Sequence, residues 1–219
     1  MTKLGVLISG SGSNLQSIID NIESGYISAT IAVVITNNTG AYGIERAKKH
    51  GIPVEFVNFK GFSTREEYDG ELVALLEAYG VELVLLAGYM KVVTGILLNA
   101  FKNRVINIHP ALLPSFPGLH VQQKAIDHGA KFSGCTVHFV DEGVDTGPII
   151  AQAAVPIFDD DTSDTLAQRI LREEHKIYPL AVKLYTENRL RIKGRRVIIE
   201  PPITNTESVI INPPGDIFK

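Results

Sequence analysis

Through the first half of the chain, short apolar runs take turns with amphipathic stretches. Residues 4–8 form an apolar run that predicts a strand. Over 14–23, Leu15, Ile18, Ile19 and Ile22 recur at helical spacing, which predicts a helix with one buried face. A second apolar run at 31–35 ends in the polar turn Thr36, Asn37, Asn38. Residues 41–50 read as a helix stopped by Gly51, and 54–57 as a third strand. Ser63 and Glu66 carry a capping-box spacing, which opens a helix that ends near Tyr79 and Gly80. Residues 81–87 predict a buried strand and 105–108 another. Strands separated by helices of this length favour a parallel sheet covered on both faces.

The pattern then changes. Residues 132–140 and 149–157 are strands joined by a short acidic loop, which predicts an antiparallel hairpin. A long helix over 165–185 follows, then a small basic hairpin around Lys193 and Gly194, then a Pro-rich tail. The expected fold is α/β: a Rossmann-like, mostly parallel twisted sheet, helices on both faces, and an antiparallel hairpin in the C-terminal half. With no internal repeat and no linker composition, residues 1–219 read as a single domain, with 193–219 as a tail.

Composition narrows the function classes. The chain has 219 residues, 45% hydrophobic and 21% charged, which excludes a disordered chain. The longest apolar run, LVLLAGYM at 83–90, is far shorter than the roughly 18 residues of a membrane span. A formal net charge of -3 argues against nucleic acid, whose partners replace counterions with basic side chains. One cysteine, Cys135, leaves no internal disulfide. Together with the immediate start of the first strand, these features predict a cytoplasmic protein acting on small molecules, as a monomer or homodimer.

Four segments carry candidate chemistry. SGSGSN at 9–14 joins the first strand to the first helix, where small residues let backbone N–H groups approach an anion. It is not a dinucleotide fingerprint, because Leu15 stands at the third glycine position and the second strand ends in Asn37 and Asn38. A site for a smaller phosphate and a plain tight turn both fit. Asn107 and His109 are i and i+2 at a strand end, so they face one space, and Pro110 keeps His109 extended. A site and a hydrogen-bonded strand end both fit. The loop DEGVDTGP at 141–148 lacks the ligand spacing of a calcium loop, and is either a solvated turn or the source of a carboxylate for His109. Glu174 falls on the apolar stripe of the last helix, where it needs either a ligand or a basic partner. No two histidines have zinc-motif spacing, so no metal is expected.

In this order the segments resemble one family. SGSGSN, AGYMKVV at 87–93, NIHPALLPSFPG at 107–118, GCTVHFVDEGVDTGP at 134–148 and EEHKIYP at 173–179 are similar to the folate-dependent formyltransferases. The resemblance spans residues 3 to about 192. The SGSGSN loop and the Glu174 region point to the branch acting on glycinamide ribonucleotide. The family implies formyl transfer from 10-formyltetrahydrofolate, a co-substrate, to that ribonucleotide's amine in purine biosynthesis.

The resemblance also implies roles. Asn107 and His109 would stabilise an oxyanion, and Asp145 would keep His109 charged. Gly12, Ser13, Asn14 and Glu174 match ribonucleotide-binding positions. Arg65, Met90, Lys91, Val92, Val93 and Asn107 match folate-side positions, as do Asp141, Glu142, Gly143, Val144 and Asp145. Residues 1–100 then form a phosphate-binding half and 101–192 a catalytic and folate half. Ala111 and Phe116 depart from the serine and tyrosine of many relatives, at positions without proposed chemistry. Three other readings compete. A formyltetrahydrofolate hydrolase would place a regulatory domain before this core, a methionyl-tRNA formyltransferase would carry a substantial C-terminal RNA-binding domain, and a non-catalytic phosphate- or nucleotide-binding module would predict loss of Asn107, His109 or Asp145.

Overall fold

A computed structural model describes residues 1–202. Six α-helices and nine strands are formed among the described residues. The first half runs β1 (Thr2–Ile8), α1 (Ser13–Glu23), β2 (Ala29–Thr36), α2 (Gly43–Lys49), β3 (Val54–Phe56), α3 (Arg65–Ala78), β4 (Leu83–Leu86) and α4 (Gly95–Ala100). It continues with β5 (Val105–His109), α5 (Val121–Asp127), β6 (Phe132–Phe139), β7 (Ile149–Pro156), α6 (Ser163–Thr186), β8 (Leu190–Lys193) and β9 (Arg196–Ile199). No helix of the described residues is long and apolar enough to cross a membrane.

The strands form one sheet in the order β3-β2-β1-β4-β5-β6-β7-β9-β8. From β3 to β5 all pairs are parallel, and β5–β6 and β6–β7 are antiparallel. This is the α/β sheet that the alternation predicts. Side chains alternate across it. Leu4, Val6 and Ile8 pack with Leu15 and Ile18 of α1 and Leu166, Ile170 and Tyr178 of α6. Leu7, Val84 and Leu86 pack on the other face with Tyr68, Leu72 and Leu76 of α3 and Leu97 of α4. Fully burying a side chain of this size contributes about 1.5–3 kcal/mol, so the two layers carry most of the fold's stability.

Several boundaries differ from the sequence reading. The cap of α3 is Thr64, one residue beyond Ser63. Its hydroxyl accepts from Glu67 N, while the Glu67 carboxylate accepts from Ser63 N. The cap is thus shifted by one position, because Thr64 and Glu67 repeat the Ser63–Glu66 spacing. Helix α6 begins at Ser163, ahead of Thr165, because Thr162 and Thr165 cap each other. Helices α4 and α5 are too short to leave a periodic signal. The basic hairpin is β8 and β9, and it joins the sheet through Ile149 opposite Arg196. The Pro-rich tail beyond residue 202 lies outside the described residues.

Candidate active site

Parallel strands β1, β4 and β5 are neighbours, so the loops leaving their C-terminal ends share one edge. The chain runs outward from β1 to β2 on one side and from β4 to β5 on the other. Such a reversal opens a crevice where ligands of α/β sheets bind. The loop after β1 contains 9–12, the one after β4 contains 87–94, and the one after β5 starts at Pro110.

The loop after β1 delivers the bare end of a helix. Gly12 caps α1 at φ 68°, and no side chain caps the N-terminus. A Cβ at Gly12 would come 2.6 Å from Gly43 Cα, so both the dihedral and the close approach of α2 demand glycine. The uncapped N–H groups and the helix dipole favour an anion here. Separated by 160 residues in sequence but adjacent in space, Asn14 and Glu174 are joined by a hydrogen bond, Asn14 Nδ2 donating to Glu174 Oε2 at 2.7 Å. Both residues are buried, at 8% and 7% exposure. Burial pushes the Glu174 carboxyl up from its ordinary range, and the Asn14 hydrogen bond opposes that shift. Asn14 Oδ1 is buried with no hydrogen-bond partner among the described residues. The polar residue on the apolar stripe therefore meets another predicted ribonucleotide position, and an acceptor is left over beside it.

On β5, even-numbered Ile106 and Ile108 enter the core beneath α6, while Val105 enters the layer beneath α3 and α4. Asn107 and His109 share the Val105 face by alternation. Opposite them on antiparallel β6 stand His138 and Thr136. The loop after β6 starts beside Val105, where Val140 N donates to Val105 O, and folds back along β5. It carries Asp145, at φ 55°, to His109: Oδ2 lies 3.3 Å from Nδ1. The same oxygen accepts from Gly118 N at 2.9 Å. The other His109 nitrogen, Nε2, lies 3.0 Å from the Phe116 carbonyl. Asp145 and that carbonyl are both acceptors, so the ring can donate to both only as the imidazolium.

Asn107 is held by His138. The His138 Nδ1 faces the Phe139 carbonyl at 2.8 Å, so it carries the hydrogen, and Nε2 is left to accept from Asn107 Nδ2 at 3.2 Å. Burial pushes the His138 imidazole down, which keeps that acceptor in place. The amide of Asn107 is thereby oriented, with its second N–H available. His138 Nε2 also lies 3.7 Å from Asp145 Oδ1, so one carboxylate neighbours both rings.

The folate-side positions flank this cluster. Met90, Val92 and Val144 are exposed apolar side chains, and Val93 is buried. Lys91 Nζ stacks 3.9 Å over the Phe59 ring. Arg65 is exposed in the first turn of α3. Asp141 Oδ1 accepts from Gly143 N and from Thr146 Oγ1, closing the acidic loop on itself, with Glu142 exposed at its tip. Arg65 and 90–93 come from the first half of the chain and Asp141 to Asp145 from the second, so the positions expected on the folate side draw on both.

Three residues that frame the site are not among those the sequence singles out. His138 is one, a mid-strand histidine that alternation alone puts on the Asn107 face. Thr136 Oγ1 donates to Ala111 O at 2.7 Å and accepts from Leu113 N at 3.0 Å. Gln152 Nε2 donates to Leu113 O at 2.8 Å. These two pin the Pro-rich loop behind His109.

The geometry can be set beside known proteins. Residues 2–182 match the formyl transferase family. A trifunctional purine biosynthetic protein adenosine-3 of Drosophila melanogaster is 50% identical over 184 residues, 83% of this chain but 14% of that protein. The chain thus spans about a seventh of the length of such trifunctional relatives. The phosphoribosylglycinamide formyltransferase of Haemophilus influenzae is 47% identical over 200 residues, 91% of this chain and 94% of that protein. Among solved structures, a glycinamide ribonucleotide transformylase 1 from Symbiobacterium toebii superposes with TM-score 0.90 at 54% identity, covering 91% of this chain and 94% of that one. A family match over most of the chain and relatives of this closeness agree with the edge described above: the chain belongs to the formyl transferase family.

Proposed function

We propose that the chain transfers the formyl group of 10-formyltetrahydrofolate to the amine of glycinamide ribonucleotide, giving formylglycinamide ribonucleotide and tetrahydrofolate in purine biosynthesis. Membership of the family implies a folate-type one-carbon donor. The observation that carries the full reading is the convergence at one sheet edge. The Asn107, His109 and Asp145 cluster lies on the sheet edge that also carries the end of α1 and the segment 90–93, where Met90 and Val92 are exposed.

In this reading the ribonucleotide phosphate lies on the N–H groups of Gly12, Ser13 and Asn14. Its sugar meets Glu174 and the spare acceptor Asn14 Oδ1. The pterin lies against Met90, Val92 and Val93, with Arg65 and the 141–145 loop on its flanks. The amine lone pair adds to the formyl carbon, and the C=O π electrons move onto oxygen. Asn107 Nδ2 donates to that oxygen as charge develops there, and so does His109 Nε2 as its N–H turns from the Phe116 carbonyl to the substrate. Preorganised donors of this kind contribute a factor of about 10²–10³ each. Collapse reforms the C=O bond and breaks the bond to the folate N10. The proton lost by the amine ends on N10, and His109 relays it. Asp145 orients the ring and stabilises its positive charge through the 3.3 Å contact. The substrate amine is the nucleophile, so no covalent enzyme intermediate is needed. The reducing cytoplasm, where the buried Cys135 stays a thiol, is the compartment in which we place this chemistry.

The test follows the carbon. With the formyl donor labelled at its formyl carbon with carbon-13, NMR should show the label leave the folate and appear as a formamide on the ribonucleotide. Label appearing as free formate instead would overturn transfer to the amine.

A further inference from the structure

Between β4 and α4 the chain runs through an irregular stretch, 87–94, which includes the folate-side positions Met90 to Val93. Lacking regular secondary structure, such a stretch needs its backbone groups satisfied from elsewhere. Two side chains from outside it do this, Ser9 and Asp69, and a third, Tyr68, holds the side chain of Tyr89. Ser9 Oγ accepts from Met90 N at 2.9 Å. Tyr68 and Tyr89 share a hydrogen bond between their hydroxyls at 2.7 Å. Asp69 Oδ2 accepts from Thr94 N at 2.5 Å.

These anchors are not scattered. Tyr68 and Asp69 follow Arg65 at i+3 and i+4 on α3, so they share a face with it. Both are buried, at 1% and 2% exposure, and a carboxylate buried that deeply is costly without a fixed donor. Thr94 is itself the cap of α4, accepting from Ile96 N, so Asp69 fixes the end of the stretch and the start of the helix together. Ser9 sits at the other end. Its N–H donates to Gly88 O at 3.1 Å, and its own carbonyl accepts from Asn38 Nδ2 at 3.0 Å. Ser9 is also the first residue of the loop that leads to Gly12 and the bare end of α1. It therefore bridges the crevice between the two substrate loops at the point where the sheet order reverses.

We propose that Ser9 and Asp69 are positioning residues for the donor subsite: they hold the 90–94 backbone at the distance from the ribonucleotide loop that formyl transfer requires. The inference rests on the function proposed above. Neither side chain touches the reacting atoms. Removing either acceptor loosens the donor wall and leaves the Gly12 to Asn14 donors and the Asn14–Glu174 pair in place.

The experiment is steady-state kinetics of full-length Ser9→Ala, Asp69→Ala and Asp69→Asn, with 10-formyltetrahydrofolate and glycinamide ribonucleotide each varied, beside thermal melts. Loss of one such hydrogen bond should raise KM for the formyl donor roughly three- to tenfold, with KM for the ribonucleotide moving less than about twofold. Asp69→Asn keeps an oxygen facing Thr94 N and should restore the donor KM. If Asp69→Ala does not fold, Ser9→Ala carries the test, since its Met90 N–H can turn to water. Both KM values rising together, or melts falling with neither KM changed, would overturn the assignment and reduce these residues to general stability. Transfer by the wild-type protein is the control. Its absence would overturn the parent function and this assignment with it, whereas normal transfer with unmoved KM values would overturn this assignment alone.

Discussion

At the scale of single residues, both His109 ring nitrogens face acceptors among the described residues: Asp145 on Nδ1 and the Phe116 carbonyl on Nε2. His109→Ala should lower kcat by about 10²–10³-fold with an unchanged melting temperature, measured by turnover and calorimetry. Asp145→Asn should lower it in the same direction, because a neutral amide removes the negative charge that faces Nδ1. Glu174 makes a second residue-scale prediction, of opposite sign for stability and function. Burial raises its folded-state value above the ordinary 4.5. A raised acid holds its proton in the fold at a pH where the unfolded chain has released it. Its stabilising contribution is therefore present below pH 4.5 and is lost as pH rises toward the raised value. Glu174→Gln keeps an oxygen for Asn14 Nδ2 and carries no charge to bury. Melts of the ligand-free protein should show it more stable than wild type at pH 7, with the gap closing on acidification, while calorimetry shows weaker ribonucleotide binding. A variant less stable than wild type at pH 7 would contradict this.

At the scale of elements, the first strand, turn and helix were legible because their signals are local. The apolar run, the small-residue turn and the 15, 18, 19, 22 stripe lie within 20 residues. His109 was legible too, since the Asn107 spacing on a strand end and Pro110 lie side by side. Its partner Asp145 was legible only through the family resemblance, not from spacing. Asp145 reaches His109 only because the loop after β6 starts beside Val105 and folds back over β5, and no spacing encodes that return. The cap of α3 was misplaced by one residue because two overlapping pairs have equal spacing, and the side chains decide between them only in three dimensions. Gly12 gives the test at this scale. Gly12→Ala must hold φ 68° and bring Cβ 2.6 Å from Gly43 Cα. It should lower stability by about 1–3 kcal/mol and weaken ribonucleotide binding, read by denaturant unfolding and calorimetry.

Across the whole molecule, the change from parallel to antiparallel pairing at β5 makes the site. A parallel continuation would cover the Asn107 and His109 face with another crossover helix. Antiparallel β6 instead lays His138 and Thr136 beside them and sends its outgoing loop back across that face. Helix α6 ties this half to the other: the Tyr178 hydroxyl reaches Leu86 O at 3.1 Å and Ile106 O at 3.2 Å, one turn beyond Glu174. Tyr178→Phe should therefore cost about 1 kcal/mol of stability in denaturant unfolding, because two strand carbonyls lose a buried donor. The parallel and antiparallel parts were each legible from periodicity. Their order in one sheet, and the rejoining of β9 beside β7, depend on long-range pairing that periodicity does not carry.

The central claim is that the edge between β1, β4 and β5 joins a folate-borne formyl group to a ribonucleotide amine. Its most direct measurement is the rate of 10-formyltetrahydrofolate deformylation by the purified protein, with and without glycinamide ribonucleotide. The account predicts deformylation only when the ribonucleotide is present, one formylated ribonucleotide for each folate released. Equal deformylation in its absence would contradict the claim and make water the acceptor.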